Sequence, residues 1–322
     1  MNLELTLCLI VSIPYLGTST DTPIFFVLLY LWENVKMIEK TEKIALVIEG
    51  GGFKSIFTAG VLDAFLINKF NPFDIYLGVS SGSMCLSYYV SNQYKTFFSL
   101  SQEVSLNEKF VNYSHVFSEQ GYMDLKYLEK YAKQNNPLDL QKITESTESK
   151  QFYLVATNTD NGKAVYLEPN KKNFYKCMRA SSSLPFFTKG SCKINGLDLM
   201  DGAWSDDPIP AKGAVDCGAT KIIVIRTYPL DYKISGVSFL GLAAGYWWRN
   251  NQKMSDHFLK EHKYYNQAVN FLTKNHKNIQ IQQICPDNLL SSGLIGSTKK
   301  HLTQDYHCGL EKGMDFLNAN FL

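Results

Sequence analysis

The chain has 322 residues, of which 45% are hydrophobic and 19% are charged, a composition typical of a globular protein that excludes a disordered one. Its formal net charge of +2 gives no electrostatic reason to expect a nucleic-acid partner. The seven cysteines are widely scattered, without a Cys-x-x-Cys pair or a Cys/His cluster. We therefore predict reduced thiols, no metal site and a cytoplasmic location.

The first predicted elements are two apolar stretches within residues 1–36, LTLCLIVSIPYLG and PIFFVLLYLW, which the polar TSTDT separates. Each is shorter than the roughly 20 residues that a membrane-spanning helix needs, and no Lys or Arg precedes Lys36 as in a secretory signal. Residues 1–36 are thus a membrane-associating leader, an extra packed segment, or the result of a start assigned too early. We favour the last interpretation, with Met37 as the start, because a strand-like core begins at Lys43.

From Lys43 onwards, apolar runs of strand length alternate with runs of helical periodicity. In chain order, the pattern predicts a strand over 43–49, a helix over 55–70, a strand over 73–80, a helix over 81–93, a hairpin over 152–168, a strand end over 197–202, a strand over 221–229, a helix over 254–272, a strand over 279–286 and a closing helix from residue 301. This alternation favours a three-layer α/β/α fold whose mostly parallel sheet has helices on both faces.

The segment GVSSG, from Gly78 to Gly82, fits the pattern G-x-S-x-G and lies between a predicted strand and a predicted helix, the context that this pattern requires. Such a turn exposes the hydroxyl of Ser80 at the carboxyl end of the sheet, and glycines on both sides relieve the crowding. The helix that follows directs its N-terminal dipole at Ser80, which favours an oxyanion there. The pattern also occurs by chance, so Ser80 is a candidate nucleophile that still needs a base.

A second glycine-rich segment, GGGFKS at 50–55, follows the first predicted strand and leaves backbone N–H groups open to close approach. Such a loop can cradle a phosphate, cap a helix or hold an oxyanion. A Walker-type phosphate loop requires glycine directly before the lysine, where this chain has Phe53. A dinucleotide-binding fingerprint also fails, because Ser55 stands at its third glycine position.

Two kinds of residue can serve as the base for Ser80. His301 and His307 come late enough in the chain for the order Ser…Asp…His of an α/β-hydrolase. Asp201, in LMDGAWSDDPIP, lies at a predicted strand end, although an Asp-Gly pair is also a common turn signal. The residues by themselves leave both alternatives open.

Three segments in this order, GGGFKS (50–55), GVSSG (78–82) and DGA (201–203), resemble the motifs of the patatin-like phospholipase family. ASSSLPFF (180–187) is similar to the segment before that family's aspartate. The resemblance covers about residues 43–230, and the long tail is most similar to a bacterial branch with a C-terminal extension. It implies a catalytic domain over 37–230 and a helical and stranded extension over 231–322 that packs on it.

The resemblance also implies roles for individual residues. Ser80 would be the nucleophile and Asp201 the general base of a Ser–Asp dyad that needs no histidine. The remaining implied site residues are Gly50, Gly51 and Gly52 with Lys54 at the oxyanion hole, Gly78 and Gly82 at the nucleophile, and Gly202 and Ala203 in the aspartate motif. The chain departs from the family at Ser55, where glycine is usual, so we expect different hydrogen bonding at the end of the loop.

On this resemblance we expect a serine acyl-ester hydrolase of the phospholipase A or lysophospholipase type, acting on a lipid or a small ester without a metal or organic cofactor. Its partners would be this substrate and, peripherally, the membrane, with no nucleic acid. Two alternatives stay open: a non-catalytic or regulatory relative that binds lipids or acyl groups, and an α/β-hydrolase that uses a late histidine.

Two aromatic segments bear on lipid binding. The segment between Tyr94 and Leu138 is expected to cover the site, and its many aromatic side chains suit either an acyl chain or ordinary helix packing. Trp247 and Trp248 suit either a lipid interface or the packed face of a C-terminal helix, and we favour packing.

Overall fold

Eight strands form one mixed sheet in the described part of the computed structural model, which covers residues 42–112, 114, 121–185, 187–188 and 191–321. The strands are β1 (Ile44–Ile48), β2 (Ile75–Val79), β3 (Gln151–Asn158), β4 (Ala164–Leu167), β5 (Cys192–Ile194), β6 (Leu197–Asp201), β7 (Lys221–Ile225) and β8 (Gln280–Ile284). Residues 1–36, for which the sequence left three interpretations, lie outside the described residues.

Helices connect these strands. They are α1 (Ser55–Ile67), α2 (Ser81–Val90), α3 (Thr96–Val104), α4 (Leu125–Asn135), α5 (Leu140–Thr147), α6 (Phe174–Ser181), α7 (Ala211–Asp216), α8 (Phe239–Trp247), α9 (Gln252–Phe258), α10 (Glu261–Thr273) and α11 (Lys299–Phe321). Two short 3-10 turns, Gly52–Lys54 and Gly202–Trp204, precede α1 and follow β6. None of these described helices is both long enough and apolar enough to cross a bilayer.

The strand order is β5-β6-β3-β2-β1-β7-β8, and β4 pairs with β3 outside this path. The pairs β3–β2, β2–β1, β1–β7 and β7–β8 are parallel. The pairs β3–β4, β3–β6 and β5–β6 are antiparallel. The predicted three-layer α/β/α fold with a mostly parallel sheet is therefore confirmed. The predicted hairpin is also present as β3 and β4, joined by a turn in which Gly162 has φ 73°.

Both faces of the sheet are covered. Alternate residues of β1 point to opposite sides, so Leu46 and Ile48 lie in one core with α1, α2 and α11. Ala45 and Val47 lie in a second core with α7 and α10. Because the central strands are buried on both faces, they read in the sequence as uninterrupted apolar runs.

The C-terminal segment contributes to the sheet and to the first core. β8 extends the sheet by parallel pairing with β7, and α11 lies along α1. Leu302 and Tyr306 of α11 are buried there, and the Tyr306 hydroxyl donates a hydrogen bond to Asp63 of α1 across 2.7 Å. The division of the chain into 37–230 and 231–322 stays a prediction.

The single helix predicted over 254–272 is wrong, because the chain forms α9 and α10 with a break at Leu259 and Lys260. α9 buries Met254 and Phe258 in a small cluster that also contains Met200, whereas α10 packs against the second face of the sheet. The break at Leu259 and Lys260 thus separates the part of the chain that packs in the small cluster from the part that packs on the sheet.

Candidate active site

Ser80 stands at the tight turn between β2 and α2. Its backbone has φ 54° and ψ −131°, a strained conformation for a residue with a side chain. A Cβ atom at Gly82 would lie 2.6 Å from the carbonyl oxygen of Glu49, and one at Gly78 would lie 2.7 Å from the Cα of Ser83. The two glycines are therefore required by the close approach of neighbouring backbone.

The Ser80 hydroxyl donates a hydrogen bond to Oδ2 of Asp201 across 2.6 Å. Asp201 is the last residue of β6 and pairs with Ala156 of β3, and β3 in turn lies beside β2. The other carboxylate oxygen, Oδ1, accepts the backbone N–H of Ala203 across 2.9 Å. Sheet pairing thus brings the two residues of the predicted dyad into direct contact.

Asp201 is fully buried. Burial raises the pKa of its carboxyl from 3.8 to about 7, while the hydrogen bonds from Ser80 and Ala203 act in the opposite direction. A general base is most effective when its pKa lies near the working pH, because it is then ionised and still basic. The environment of Asp201 therefore suits a proton acceptor for the serine hydroxyl.

Ser181, in the segment ASSSLPFF, holds the backbone of the turn. Its hydroxyl accepts the N–H of Ser80 across 2.9 Å and donates to the carbonyl oxygen of Val155 across 2.6 Å. Gly202 also lies against the Val155 carbonyl, where a side chain would collide with it. The sequence pattern pointed to this segment through the family resemblance but assigned no role to Ser181.

The glycine loop passes directly beside Ser80. A Cβ atom at Gly50 would lie 2.9 Å from the Cβ of Ser80. Gly52 has φ 57° and lines the same cavity as Ser80. The N–H of Gly51 donates to the hydroxyl of Ser81 across 3.2 Å, so this donor is already engaged. The oxyanion role of the three glycines stays a prediction, and Gly52 is the one that lines the cavity.

Ser55, the residue that departs from the family pattern, is bonded to the nucleophile turn. Its hydroxyl lies 2.6 Å from the hydroxyl of Ser81, and both side chains are buried. Because Ser81 also accepts the N–H of Gly51, the serine pair links the start of α1, the glycine loop and the start of α2. Glycine at position 55 has no hydroxyl and lacks this bond.

The Lys54 ammonium lies over the ring of Tyr228, 3.9 Å from its centroid, and the Tyr228 ring stacks on Tyr232. This is a cation–π contact. Partial burial lowers the pKa of Lys54, while Tyr232 and Glu49 act in the opposite direction. Support of an oxyanion or of an acidic headgroup by Lys54 stays a prediction.

Buried hydrogen bonds from Thr227 and Tyr265 hold the start of the glycine loop and the residue before it. Glu49 accepts the N–H of Thr227 across 2.7 Å and the hydroxyl of Tyr265 across 2.8 Å. The Thr227 hydroxyl in turn donates to the carbonyl oxygen of Gly50 across 2.9 Å. Burial raises the pKa of Glu49, and the nearby Arg226 guanidinium opposes that rise. No motif pointed to these residues, because they come together only through β7 and α10.

An apolar cavity lies beside Ser80. Its lining residues come from the glycine loop, α2, α3, α4, the segments between them and the segment after α6, and none of them is charged. They include Met84, Phe97, Leu100, Phe110, Met123 and Leu128. Phe97 and Phe110 belong to the segment that was expected to cover the site, whereas Phe98 packs on Tyr306 instead. Tyr113 and Phe117 of that segment lie outside the described residues.

No described histidine takes part in the side-chain hydrogen bonds of Ser80 and Asp201, which join these two residues to each other and to Ala203. His301 and His307 are both on α11. Within the described residues there is no group of three His, Cys, Asp or Glu side chains that could hold a metal ion. The described cysteines are free thiols.

Comparisons with known proteins show which family the chain resembles. A family model described as Patatin-like phospholipase matches residues 46–215, which include every site residue discussed above from Gly50 to Ala203. A second model, a domain of unknown function (DUF6363), matches residues 251–321. The uncharacterized protein YjjU of Escherichia coli (strain K12) is 32% identical over 279 residues, or 85% of this chain and 77% of that protein. The crystal structure of VipD from Legionella pneumophila is similar over 86% of this chain and 67% of that chain, with a TM-score of 0.46 and 13% identity.

Proposed function

The chain belongs to the patatin-like phospholipase family, and from that premise we propose that it is a serine acyl-ester hydrolase with Ser80 as nucleophile and Asp201 as general base. The observation that supports this most strongly is the 2.6 Å hydrogen bond from the Ser80 hydroxyl to the buried Asp201 carboxylate, made beside an apolar cavity. Nucleophile and base are thus within hydrogen-bond reach without an intervening histidine.

In the first step, the Ser80 oxygen attacks the ester carbonyl carbon while its proton moves to Oδ2 of Asp201. The carbonyl oxygen becomes an oxyanion, which the positive end of the α2 dipole stabilises together with two backbone N–H groups at the cavity, those of Gly52 and of Ser81, the residue after the nucleophile. When this adduct collapses, the ester C–O bond breaks, and the alcohol leaves with the proton that Asp201 returns to it. The acyl group is then bound to Ser80.

In the second step, a water molecule attacks the acyl-Ser80 carbonyl and gives its proton to Asp201. The same backbone donors stabilise the second oxyanion. Collapse releases the carboxylic acid, and the proton on Asp201 returns to the Ser80 oxygen. One water molecule is consumed, and the enzyme regains its starting protonation state without a metal or organic cofactor.

An acyl chain is the substrate group that suits the cavity beside Ser80. The cavity walls are mainly apolar and carry no charged residue, and the reacting hydroxyl lies among them. Leu100, Leu125 and Leu128 also line a second cavity, which extends towards Tyr175 and Met178. A chain that leaves Ser80 along these walls would bury successive methylene groups, so we propose lipid acyl esters as the substrate class.

Hydrolysis of an ester series of increasing acyl length, at submicellar concentration and in the presence of EDTA, tests this function. We expect kcat/KM to rise with chain length by up to about fourfold per buried methylene, since each contributes about 0.8 kcal/mol. If kcat/KM did not change with acyl chain length, the protein would be a general esterase and lipid acyl esters would not be its substrate class. Absence of hydrolysis by the folded protein would instead favour the non-catalytic relative.

A further inference from the structure

Helix α8 has the reverse of the usual arrangement of apolar residues. Its small residues Gly241, Ala244 and Gly245 are buried. Four of its five large apolar residues are exposed, Phe239 by 83%, Leu242 by 52%, Tyr246 by 70% and Trp247 by 67%, and the fifth, Leu240, is half-buried. A helix on the surface of a globular protein normally directs its large apolar side chains inwards and polar ones outwards. Contiguous exposed apolar side chains of this kind mark an interaction surface.

The orientation of α8 is fixed by its contacts with α9 and α10. The Ser255 hydroxyl donates to the carbonyl oxygen of Gly245 across 2.8 Å. The carboxylate of Glu261 accepts the N–H of Ser238, the residue before α8, across 2.8 Å. A Cβ atom at Gly241 would lie 2.5 Å from that carboxylate, so α8 approaches α10 closely. The large side chains therefore stay on the outer face.

The helix α9, which holds α8, contacts the end of the sheet at which Ser80 lies. β2 and β3 are parallel, so Ser80 and the turn after β3 follow the same ends of neighbouring strands. The side chain of Asn251, directly before α9, donates to the carbonyl oxygen of Asp160 in that turn across 3.4 Å. The ring of His257 in α9 contacts the carbonyl oxygen of Trp204, three residues after Asp201, at 2.6 Å.

The stretch of chain that contains α8 and α9 carries more basic than acidic residues. Residues 233–263 contain five basic and two acidic side chains. Glu261 is engaged with the N–H of Ser238, and Asp256 accepts a hydrogen bond from Gln252 across 2.7 Å. The guanidinium of Arg249 lies 4.6 Å from the ring centroid of Tyr246, so a cation adjoins the exposed aromatic face.

We propose that Phe239, Leu242, Tyr246, Trp247 and Arg249 form an interfacial patch that docks on an anionic phospholipid bilayer. The inference rests on the proposed function, because the bilayer is where lipid acyl esters reach the enzyme. Aromatic side chains settle at the level of the headgroups, and basic residues beside them are attracted to anionic lipids. Docking through this patch brings the end of the sheet at which Ser80 lies towards the bilayer.

Cosedimentation of the full chain with phosphatidylcholine vesicles, with and without phosphatidylglycerol, tests the patch. The variant is the double substitution Phe239→Ser and Leu242→Ser. Its matched control is Ile67→Ser, which changes a side chain that is 53% exposed at the end of α1, the end of the helix that leads to the start of β2. A water-soluble short-chain ester measures the chemical step in all three proteins.

We expect the wild type to bind anionic vesicles more tightly than neutral ones. The double variant should lose at least about tenfold in vesicle affinity, since a buried Phe or Leu contributes more than one factor of ten. Its soluble-ester hydrolysis and the vesicle affinity of Ile67→Ser should be unchanged.

Equal vesicle affinity of wild type and double variant would overturn the patch, as would equal binding to neutral and anionic vesicles. Two further results would overturn the proposal that this patch docks on the bilayer. One is a wild-type dimer that the double substitution dissociates, and the other is loss of vesicle binding on deletion of residues 1–36 alone. Failure of the wild type to hydrolyse the soluble ester, with vesicle binding intact, would instead count against the proposed function.

Discussion

The Ser80 hydroxyl lies 2.6 Å from the carboxylate of Asp201, although 121 positions separate the two residues in the chain. Ser80 reaches this point from the end of β2, and Asp201 reaches it from the end of β6, with β3 between the two strands. Since the contact is direct, the carboxylate itself is the nearest base to the nucleophile. The predictions below depend on this relationship.

Ser80→Ala should lower ester hydrolysis by at least about 10⁴-fold, the scale seen when a catalytic serine is removed. The free energy of unfolding should fall by about 1 kcal/mol, because the buried Asp201 carboxylate loses the hydrogen bond from the Ser80 hydroxyl while Ser181 still holds the backbone of the turn. Ser182→Ala is the matched control, since Ser182 lines the same cavity. Turnover in Ser80→Ala as high as in Ser182→Ala and wild type would contradict the assignment of Ser80 as the nucleophile.

The rate should depend on pH through Asp201, because the carboxyl must be ionised to accept the serine proton. Its pKa is raised to about 7 by burial. We therefore expect kcat/KM for a soluble ester to be low in acid, to reach half of its plateau near pH 7, and to stay level above it. A plateau that extends unchanged down to about pH 5 would show that the group which titrates is not this carboxyl.

Asp201→Asn should abolish activity and at the same time stabilise the fold above neutral pH. The pKa rise from 3.8 to about 7 means that the native protein binds the proton more tightly than the unfolded chain does. Wild-type stability is therefore lost as pH rises through this window, by up to about 4 kcal/mol. Asparagine does not ionise, so the variant keeps this stability at high pH, and its side-chain oxygen can still accept the N–H of Ala203.

Chemical denaturation at several pH values measures this difference. The unfolding free energies of wild type and Asp201→Asn should diverge as pH rises from about 4 to about 7, with the variant the more stable protein. Parallel pH dependences would contradict the raised pKa. Retained hydrolysis by Asp201→Asn would contradict its role as base.

The elements that could be predicted from the sequence are those whose structure depends on residues close together in the chain. The run 43–49 reads as a buried strand because β1 is covered on both faces. Ser80 could be identified because its strand, its turn and its helix are consecutive in the chain. The contact of Ser80 with Asp201 depends on antiparallel pairing of β6 with β3, so the residues alone could not decide between carboxylate and histidine.

Residues that support the site from distant parts of the chain could not be predicted. Thr227 reaches Gly50 from the segment after β7, and Tyr265 reaches Glu49 from α10. The break at Leu259 was missed because apolar periodicity does not reveal that α9 and α10 pack on different surfaces. The two adjacent tryptophans also differ: Trp248 packs against Phe258, whereas Trp247 is 67% exposed.

Ser55→Ala should lower kcat by about tenfold with little change in KM, because it removes the hydrogen bond that holds Ser81 beside the glycine loop. Ser87→Ala is the matched control: it removes a buried hydroxyl that bonds within α2, to Ser83, across 2.7 Å. Both variants should lose about 1 kcal/mol of stability. Equal effects of the two substitutions on kcat would contradict a positioning role for Ser55.

Labelling of the full chain with an active-site fluorophosphonate, followed by peptide mass mapping, tests the central claim most directly. The reagent phosphonylates a serine that has been activated by its base. We predict a single adduct on Ser80 that is absent in Ser80→Ala, strongly slowed in Asp201→Asn, and formed at the wild-type rate in His301→Ala and His307→Ala. An adduct on another serine, or loss of labelling in either histidine variant with a native circular dichroism spectrum, would contradict the Ser80–Asp201 dyad.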